Sequence, residues 1–292
     1  MGVRFENVMI HYRDDTAEPD AVIAALDGLS VRFAPGRFTA LLGAPGSGKS
    51  TLLMHVNGLV RPGGGRVRVF EFEIGPDRPK DVPPELRRRA GLVFQFPEQQ
   101  LFEATVRREL MFAPLRFGLG RERAERAAAE AAELLGIGHL LDENPLELSS
   151  GQRRKVAIAA VLAADPDLVA LDEPTASLDP ASRAELVSLL ARLCRERGKT
   201  VIMATHRLED VLGHADECAV LAGGRLLFAG TPQALLARPD VMKAAGLSPP
   251  PAVRLAALLA EMFRDEPPAF AGPGELAAWT AGKLAAAGEG SP

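Results

Sequence analysis

A glycine-rich octapeptide limits the folds open to this chain of 292 residues more than any other feature. Its sequence is Gly43-Ala44-Pro45-Gly46-Ser47-Gly48-Lys49-Ser50, which fits the pattern G-x-x-x-x-G-K-S/T. A buried strand is predicted before it, at 38–42, and a helix after it, at about 49–57. A glycine-rich surface turn is the alternative, but this context disfavours it. Because glycines let backbone N–H groups turn toward phosphate oxygens, the octapeptide predicts a phosphate site. In such a site Lys49 reaches the β- and γ-phosphates of a nucleotide, and Ser50 binds Mg²⁺.

Two adjacent carboxylates, Asp172 and Glu173, end a second apolar run at 168–171. Ligands of α/β sheets bind at the carboxyl ends of the strands, so both acids are expected near the phosphate loop, residues 43–50. Asp172 can hold Mg²⁺ through water, and Glu173 can orient or deprotonate an attacking water. The alternative is a buried strand that simply meets solvent at two acids. The phosphate loop favours the site.

The pattern of apolar runs predicts an α/β fold of the P-loop NTPase class. Strands alternating with helices indicate a mixed, mostly parallel sheet, and the β-rich start of the chain indicates an N-terminal antiparallel β subdomain. A stretch at about 97–164 predicts an inserted helical subdomain, and 231–292 a small helical C-terminal extension with a disordered end. The predicted strands are 3–12, 29–33, 38–42, 168–171, 200–205 and 219–221, and the predicted later helices are 121–135, 151–164, 182–197 and 253–263.

Composition excludes several classes of protein. A formal net charge of −4 gives no overall attraction to nucleic acid or anionic lipid. Cys194 and Cys218 predict no disulfide framework. The first residues lack the apolar core of a signal peptide, and no run of about eighteen apolar residues predicts a membrane-spanning helix. A role at a membrane would therefore depend on a partner.

Further short motifs follow the phosphate loop in a fixed order. These are Gln95, the pentapeptide Leu148-Ser149-Ser150-Gly151-Gln152, the Asp172-Glu173 pair, Ser177-Leu178-Asp179 and His206. Each alone is weak, and the pentapeptide could be no more than a helix start capped by serine. Together, in this order and spacing, they resemble the nucleotide-binding subunits of ATP-binding-cassette (ABC) transporters. The ATPase domain then spans 1–230.

The resemblance implies a role for each motif. Gln95 senses Mg²⁺ and the attacking water, and His206 touches the γ-phosphate and Glu173. Ser149 and Gly151 contact the nucleotide held by the opposite subunit, and Asp179 couples the two sites. Hydrolysis then requires a head-to-tail dimer with two ATP molecules between the subunits.

The expected site residues fall into three groups. The expected catalytic residues are Glu173, His206 and Gln95, and the expected Mg²⁺ ligands are Ser50, Gln95 and Asp172. The expected ATP-binding residues are Tyr12, Gly43, Ala44, Pro45, Gly46, Ser47, Gly48, Lys49, Ser50, Thr51, Ser149, Gly151, Gln152 and Asp179. Tyr12 stands where the family has an aromatic that stacks on adenine, with a core position as the alternative. The family usually has glycine where this chain has Ser150, and we expect activity to survive the difference.

Two segments narrow the resemblance. The stretch at 96–106, Phe-Pro-Glu-Gln-Gln-Leu-Phe-Glu-Ala-Thr-Val, looks like the ATPase subunits of energy-coupling factor (ECF) transporters, more so their second type. In that family it forms a groove for a coupling helix of the transmembrane subunit, for which Pro97, Leu101 and Phe102 would be exposed apolar anchors. The alternative is a well-packed loop leading into a helix from Thr105. Residues 247–255 resemble the C-terminal extension of the same subunits.

The predicted function is therefore that of an ATPase subunit that energises an ECF importer for vitamins or transition-metal ions. It would lie peripherally on the cytoplasmic face of the cell membrane. Its expected partners are a second ATPase subunit, a transmembrane coupling subunit and a substrate-binding membrane protein, with no nucleic acid. A heterodimer of ATPases is favoured over a homodimer, and the sequence does not identify the transported substrate. The alternatives are an ATPase of another ABC transporter and a soluble ABC-type ATPase acting on ribosomes or DNA.

Overall fold

The phosphate loop follows the central strand of a six-stranded sheet. The computed structural model describes residues 2–13, 22–78, 81–176, 178–263, 265 and 273–288, and Ser177 lies outside them. The strands are β1 (Val3–Arg13), β2 (Val22–Phe33), β3 (Phe38–Leu42), β4 (Gly64–Val69), β5 (Phe72–Ile74), β6 (Ala90–Val93), β7 (Leu168–Asp172), β8 (Thr200–Thr205), β9 (Glu217–Ala222) and β10 (Arg225–Gly230). The helices are α1 (Lys49–Val56), α2 (Pro84–Arg89), α3 (Val106–Arg116), α4 (Arg121–Leu134), α5 (Ser150–Leu162), α6 (Pro180–Arg197), α7 (Leu208–Val211), α8 (Pro232–Leu236), α9 (Pro239–Ala244), α10 (Pro251–Phe263) and α11 (Pro273–Gly288).

The larger sheet has the strand order β10-β9-β3-β8-β7-β6. All neighbouring strands in it are parallel except β9 and β10. Leu42 at the end of β3 pairs with Thr205 of β8, and Asp172 at the end of β7 pairs with Ala204 of β8. Since parallel strands end on one edge, the phosphate loop, Asp172-Glu173 and His206 all begin at that edge.

The smaller sheet is antiparallel and has the order β2-β1-β4-β5. Helix α1 connects the two sheets because its apolar residues Leu52, Leu53 and Val56, all fully buried, share one core cluster with strands of both. The predicted mixed sheet and antiparallel N-terminal subdomain are confirmed. The sequence predictions did not include β4, β5, β6 and β10, of which β5 and β6 have only three and four residues.

Three helices, α3, α4 and α5, lie in the stretch that was predicted to be helical. Helix α4 buries Ala124, Ala128, Ala131 and Ala132, which recur at helical spacing and let the neighbouring helices approach closely. The division of the chain into domains at 97–164 and 230 stays a prediction. No helix among the described residues is long and apolar enough to cross a membrane.

The alanine- and glycine-rich end differs from the prediction of disorder. Residues 273–288 form α11, which packs against α10 through an edge-to-face contact of Trp279 with Phe263, whose ring centroids lie 5.7 Å apart. Leu276 is buried in the same small cluster. Alanine is the best helix former, and the contacts of Trp279 and Leu276 stabilise the helix by packing it against a neighbour. Residues 289–292 lie outside the described part of the chain.

Candidate nucleotide site

A cleft of about 400 Å³ lies at the edge of the larger sheet where β3, β7 and β8 end. It is lined by Tyr12, Ile23, Ala25, Pro45, Gly46, Ser47, Gly48, Lys49, Ser50, Thr51, Gln95, Asp172, Glu173, Ala176 and His206. The residues that the sequence predicts for this chain's own site thus meet in one place. Gly43 and Ala44 are not part of the lining, but they contact Lys49 through their carbonyl groups.

The phosphate loop is closed by its own lysine. The Lys49 Nζ donates hydrogen bonds to the carbonyl oxygens of Gly43, at 2.7 Å, and Ala44, at 3.0 Å. Burial lowers the pKa of Lys49, and the nearby charges of Glu173 and Asp172 oppose that shift. The Lys49 ammonium group is therefore already held against the loop, where it would contact a bound phosphate.

Glycine is required at position 48. Its φ of 101° is a conformation that side chains disfavour, and a β-carbon there would lie 2.5 Å from the carbonyl oxygen of Ala25. The loop is also tied to later parts of the chain. The Ala44 N–H donates to the Ala245 carbonyl at 3.1 Å, and the Gly224 N–H donates to the Ser47 carbonyl at 3.2 Å. These bonds fix the loop before any nucleotide arrives.

Oxygen donors collect beside the loop. The Ser50 hydroxyl hydrogen-bonds the carboxylate of Asp172, which is 7% exposed. Burial raises the pKa of Asp172, and the hydrogen bond from Ser50 counteracts this. Gln95 lines the same cleft and brings an amide oxygen. A hydroxyl, one carboxylate and an amide form the oxygen set that Mg²⁺ takes in nucleotide sites, where phosphates and water complete its shell.

Glu173 and His206 form a pair across the ends of β7 and β8. The His206 Nδ1 lies 2.9 Å from Glu173 Oε1. Glu173 is the more buried, with 11% of its side chain exposed against 51% for His206. The Glu173 backbone has a φ of 48°, the left-handed region, while its N–H donates to the Ala204 carbonyl at 3.0 Å. Strained backbone of this kind gathers at functional sites, and here it directs the carboxylate toward the cleft.

The pentapeptide motif begins α5 and does not line this cleft within the described residues. Ser149 accepts a hydrogen bond from the Gln152 N–H, and the Gln152 side chain accepts one from the Ser149 N–H, forming a capping box. Ser150 is exposed in the first helical position, where a side chain is tolerated. A β-carbon on Gly151 would meet nothing within 4 Å. The motif is therefore a helix start that faces outward.

Asp179 likewise caps a helix outside the cleft. Its Oδ1 accepts hydrogen bonds from the N–H groups of Ala181 and Ser182, both at 3.0 Å, at the start of α6. The Ser182 hydroxyl donates to Oδ2, and these bonds lower the pKa of Asp179. Capping alone would account for an aspartate at this position, so its expected role between two sites stays a prediction.

Tyr12 lies at the mouth of the cleft and is not a core residue, since 40% of it is exposed. It pairs across the sheet with Ile23, which is 53% exposed and also lines the cleft. Ile23, Ala25 and Ala176 are lining residues that the sequence predictions did not include. Ile23 and Ala25 would have been found if the sequence prediction had begun β2 at Val22. The polar stretch before Val22 conceals where this strand begins.

The segment after Gln95 is better packed than predicted. Pro97 is buried at the start of a 3-10 turn, and Leu101, 8% exposed, belongs to the main core cluster, so neither is an exposed anchor. The buried Glu109 accepts hydrogen bonds from the N–H groups of Phe102 and Glu103, which fixes the loop. Phe102, however, is 61% exposed and meets Phe112 edge to face at 4.9 Å between ring centroids. The prediction of an exposed apolar side chain holds for Phe102 alone among the three.

Comparison with known proteins gives the family. The family model for ABC transporters matches residues 26–176. The energy-coupling factor transporter ATP-binding protein EcfA2 of Geobacillus kaustophilus is 42% identical over 265 residues, which cover 90% of each chain. EcfA2 of Enterococcus faecalis is 40% identical over 268 residues, covering 91% of this chain and 92% of that protein. The chain belongs to the ECF transporter ATP-binding proteins.

Solved structures agree with this membership in the ECF ATPases. CbiO1 from Clostridium perfringens, described as part of the ABC transporter complex cbiONQ, has a TM-score of 0.68 and 33% identity, covering 87% of this chain and 97% of that one. A dimeric ATP-binding cassette in a post-hydrolysis state, bound to ADP and Pi, has a TM-score of 0.68 and 26% identity, covering 78% and 98%. This ECF ATPase is thus an ATP-binding and ATP-hydrolysing subunit of an ABC importer. The alternative of a ribosome- or DNA-acting ATPase finds no support in these relatives.

Proposed function

We propose that this ECF ATPase binds ATP with Mg²⁺ in the cleft described above and activates the attacking water with Glu173 and His206. The observation that carries the proposal is the 2.9 Å contact between His206 Nδ1 and Glu173 Oε1 in the cleft that also contains Lys49 and Asp172. A proton acceptor and a phosphate-binding cation then lie on two sides of one space. That is the arrangement that phosphoryl transfer to water needs.

Each side chain has a role that follows from its position. Lys49 exchanges its loop carbonyl partners for β- and γ-phosphate oxygens. Ser50, Asp172 and Gln95 would hold Mg²⁺, which when bound neutralises developing charge on the phosphate oxygens. Glu173 orients the water and accepts its proton. Because the His206 Nδ1 faces Glu173, its Nε2 is free to meet the γ-phosphate.

We infer further that hydrolysis needs two ATPase subunits arranged head to tail. The support is that Ser149, Gly151, Gln152 and Asp179 do not line the described cleft, although the resemblance to ABC ATPases gives them a role in ATP binding. A second subunit would present its own pentapeptide to this chain's ATP, and this chain would serve the other site in return. A heterodimer of two ATPase types is favoured over a homodimer.

Turnover should therefore depend on assembly. We expect the purified chain alone to bind ATP but to hydrolyse it slowly. Addition of a second ATPase subunit should raise the hydrolysis rate by about 10-fold or more, because the pentapeptide of that subunit completes the site. Steady-state ATPase rates over a range of chain concentrations, with and without that subunit, measure this. The proposal of a site shared by two subunits would be contradicted if the hydrolysis rate per chain were maximal at low concentration and did not change when the second subunit was added. A Ser149→Arg variant should bind ATP normally but fail to stimulate its partner.

The partners in the membrane are the second part of the proposal. Phe102 contacts Phe112, which is 41% exposed, and Leu115, 43% exposed, lies three residues further along the same helix. This surface suits an apolar helix of a transmembrane coupling subunit, which would keep the ATPase peripheral on the cytoplasmic face of the membrane.

Recovery from membranes tests that partnership. We expect the tagged full chain, purified from detergent-solubilised membranes of its source, to retain a second ATPase, a coupling membrane protein and a substrate-binding membrane protein, identified by mass spectrometry. A Phe102→Asp variant should lose the membrane proteins and keep the second ATPase, because only the apolar contact is removed. Retention of all partners by that variant would contradict the assigned surface, and recovery of ribosomal proteins alone would contradict the transport partnership.

A further inference from the structure

The carboxylate of Asp210 contacts residues next to the proposed catalytic pair. Asp210 is on the short helix α7, and only 7% of its side chain is exposed. Its Oδ2 accepts a hydrogen bond from the Thr175 hydroxyl at 3.0 Å. Its Oδ1 lies 3.7 Å from Arg183 Nη1 and 3.5 Å from Arg207 Nε. Asp210 thus contacts Thr175 and Arg183, which are distant in sequence, and Arg207 three residues before it.

Each contact leads to a different part of the proposed site. Thr175, 2% exposed, is two residues after Glu173 on the same turn. Arg207 directly follows His206. Arg183 lies in the first turns of α6, and its N–H donates to the carbonyl of Asp179, the helix cap. One carboxylate therefore ties together the turn that carries Glu173, the residue after His206 and the helix that starts at Asp179.

The negative charge of Asp210 stabilises two neighbouring arginines, Arg183 and Arg207. The Nε atoms of Arg183 and Arg207 are buried, and neither has a hydrogen-bond partner among the described residues. The Arg207 Nε is close to Asp210 but not aligned with it for a hydrogen bond. Charge attraction from Asp210 therefore stabilises the two arginines, whose side chains are 17% and 38% exposed, because a partly buried cation is unfavourable without a neighbouring anion. Glu209 also pairs with Arg207, at 3.0 Å, but it is 40% exposed and touches only the outer end of that side chain.

We propose that Asp210 is a positioning residue that holds Glu173 and His206 in register for water activation. It does not line the described cleft and so does not touch the reacting atoms. The pair that it supports comes from two different strands, and a loop shift of about 1 Å between them would separate groups that are now 2.9 Å apart. Through Arg183 on α6, Asp210 would also fix the position of Asp179, which would face the other subunit. This inference rests on the proposed roles of Glu173 and His206.

The test compares Asp210→Asn with Glu209→Gln in the ATPase assembled with its partner subunit. Both changes remove one negative charge next to Arg207, but only the Asp210 side chain is buried, since that of Glu209 is 40% exposed. We expect Asp210→Asn to lower kcat by on the order of 10- to 100-fold with unchanged ATP affinity, because the phosphate loop is untouched. Glu209→Gln should stay within about 2-fold of wild type, as expected for an exposed pair. A kcat for Asp210→Asn equal to that of Glu209→Gln would overturn the inference.

A double variant separates positioning from general damage. In a Glu173→Gln background, adding Asp210→Asn should lower the residual single-turnover rate much less than it lowers the wild-type rate, since one of the two groups that Asp210 positions can no longer accept the proton. A further loss of the same size in that background would assign Asp210 a merely structural role and overturn the inference. If Asp210→Asn does not fold, Thr175→Val is used in its place, since it removes one hydrogen bond and keeps both arginines paired. An unchanged kcat in Thr175→Val would then count against the proposal.

The proposed function and this inference fail in different ways. Wild-type turnover in Glu173→Gln alone would overturn the roles given to the catalytic pair. A large loss in Glu173→Gln together with full activity in Asp210→Asn would leave those roles standing and remove only the positioning role.

Discussion

Replacing Glu173 by glutamine is expected to lower ATP turnover by about 10²- to 10⁴-fold while ATP affinity stays near that of the wild type. The amide keeps the size of the side chain and can still meet His206, but it no longer accepts a proton from water. The loop that holds the phosphates, with Lys49 on its own carbonyl partners, is not disturbed. Steady-state and single-turnover ATPase rates, with nucleotide affinity measured separately, give the two quantities.

The same variant should accumulate as an ATP-bound closed dimer if, as in the proposed mechanism, ATP binding closes the two subunits and hydrolysis reopens them. Size-exclusion chromatography with ATP detects this state. Glu85→Gln is the matched control, since Glu85 is a half-exposed residue of α2 that pairs with its helix neighbour Arg88. Equal turnover in the two variants would remove Glu173 from the mechanism.

Replacing Arg154 by methionine is expected to lower the free energy of unfolding by about 3–5 kcal/mol. Arg154 on α5 and Glu98 in the turn after Gln95 form a bidentate ion pair, at 3.1 and 3.3 Å, with side chains only 4% and 15% exposed. Removal of one partner leaves the other charge buried and unpaired. Urea unfolding followed by circular dichroism measures the change.

A matched control and a double variant separate this buried pair from exposed ones. Arg126→Met breaks the Glu122–Arg126 pair on α4, whose side chains are 85% and 62% exposed, and should cost no more than about 0.5 kcal/mol. Replacing Glu98 and Arg154 together by leucine and methionine should recover most of the loss, because no buried charge is left. A single variant as stable as Arg126→Met would contradict the assigned importance of the pair.

The pH dependence of this pair has a definite sign. Burial raises the pKa of Glu98, but the hydrogen bond and charge of Arg154 outweigh this, so the pKa lies below its ordinary value. The stability that the pair contributes is therefore complete above the ordinary pKa of a glutamate and is lost as the pH falls through the lower value of the folded state.

The sequence predicted the parts of the site that depend on local pattern. The phosphate loop could be found because eight consecutive residues and the strand and helix around them carry the signal. Asp172 and Glu173 could be placed next to it because parallel strands end on one edge. These predictions needed no knowledge of long-range packing.

What the sequence could not predict depends on contacts between distant segments. Pro97 and Leu101 look like apolar anchors in the sequence, yet Leu101 joins the core and Glu109 secures the loop from seven residues away. Asp210 is one of two adjacent acids on a helix of four residues. Only the fold brings it against Thr175 and Arg183, and no pattern distinguishes it from Glu209. Helix α11 was missed because glycines interrupt its alanine-rich sequence and its support comes from Phe263 in another helix.

The hydrogen bond from Ala44 to the carbonyl of Ala245 ties the C-terminal extension to the nucleotide-binding machinery. Val241, Met242, Ala245 and Leu247 also belong to the main core cluster, so this stretch cannot detach without opening that core. Local fraying should therefore be suppressed as far as Leu247, and amide hydrogens there should exchange as slowly as those of the central sheet. By mass action, a nucleotide that stabilises the native state should protect this stretch as well, although none of these residues lines the described cleft.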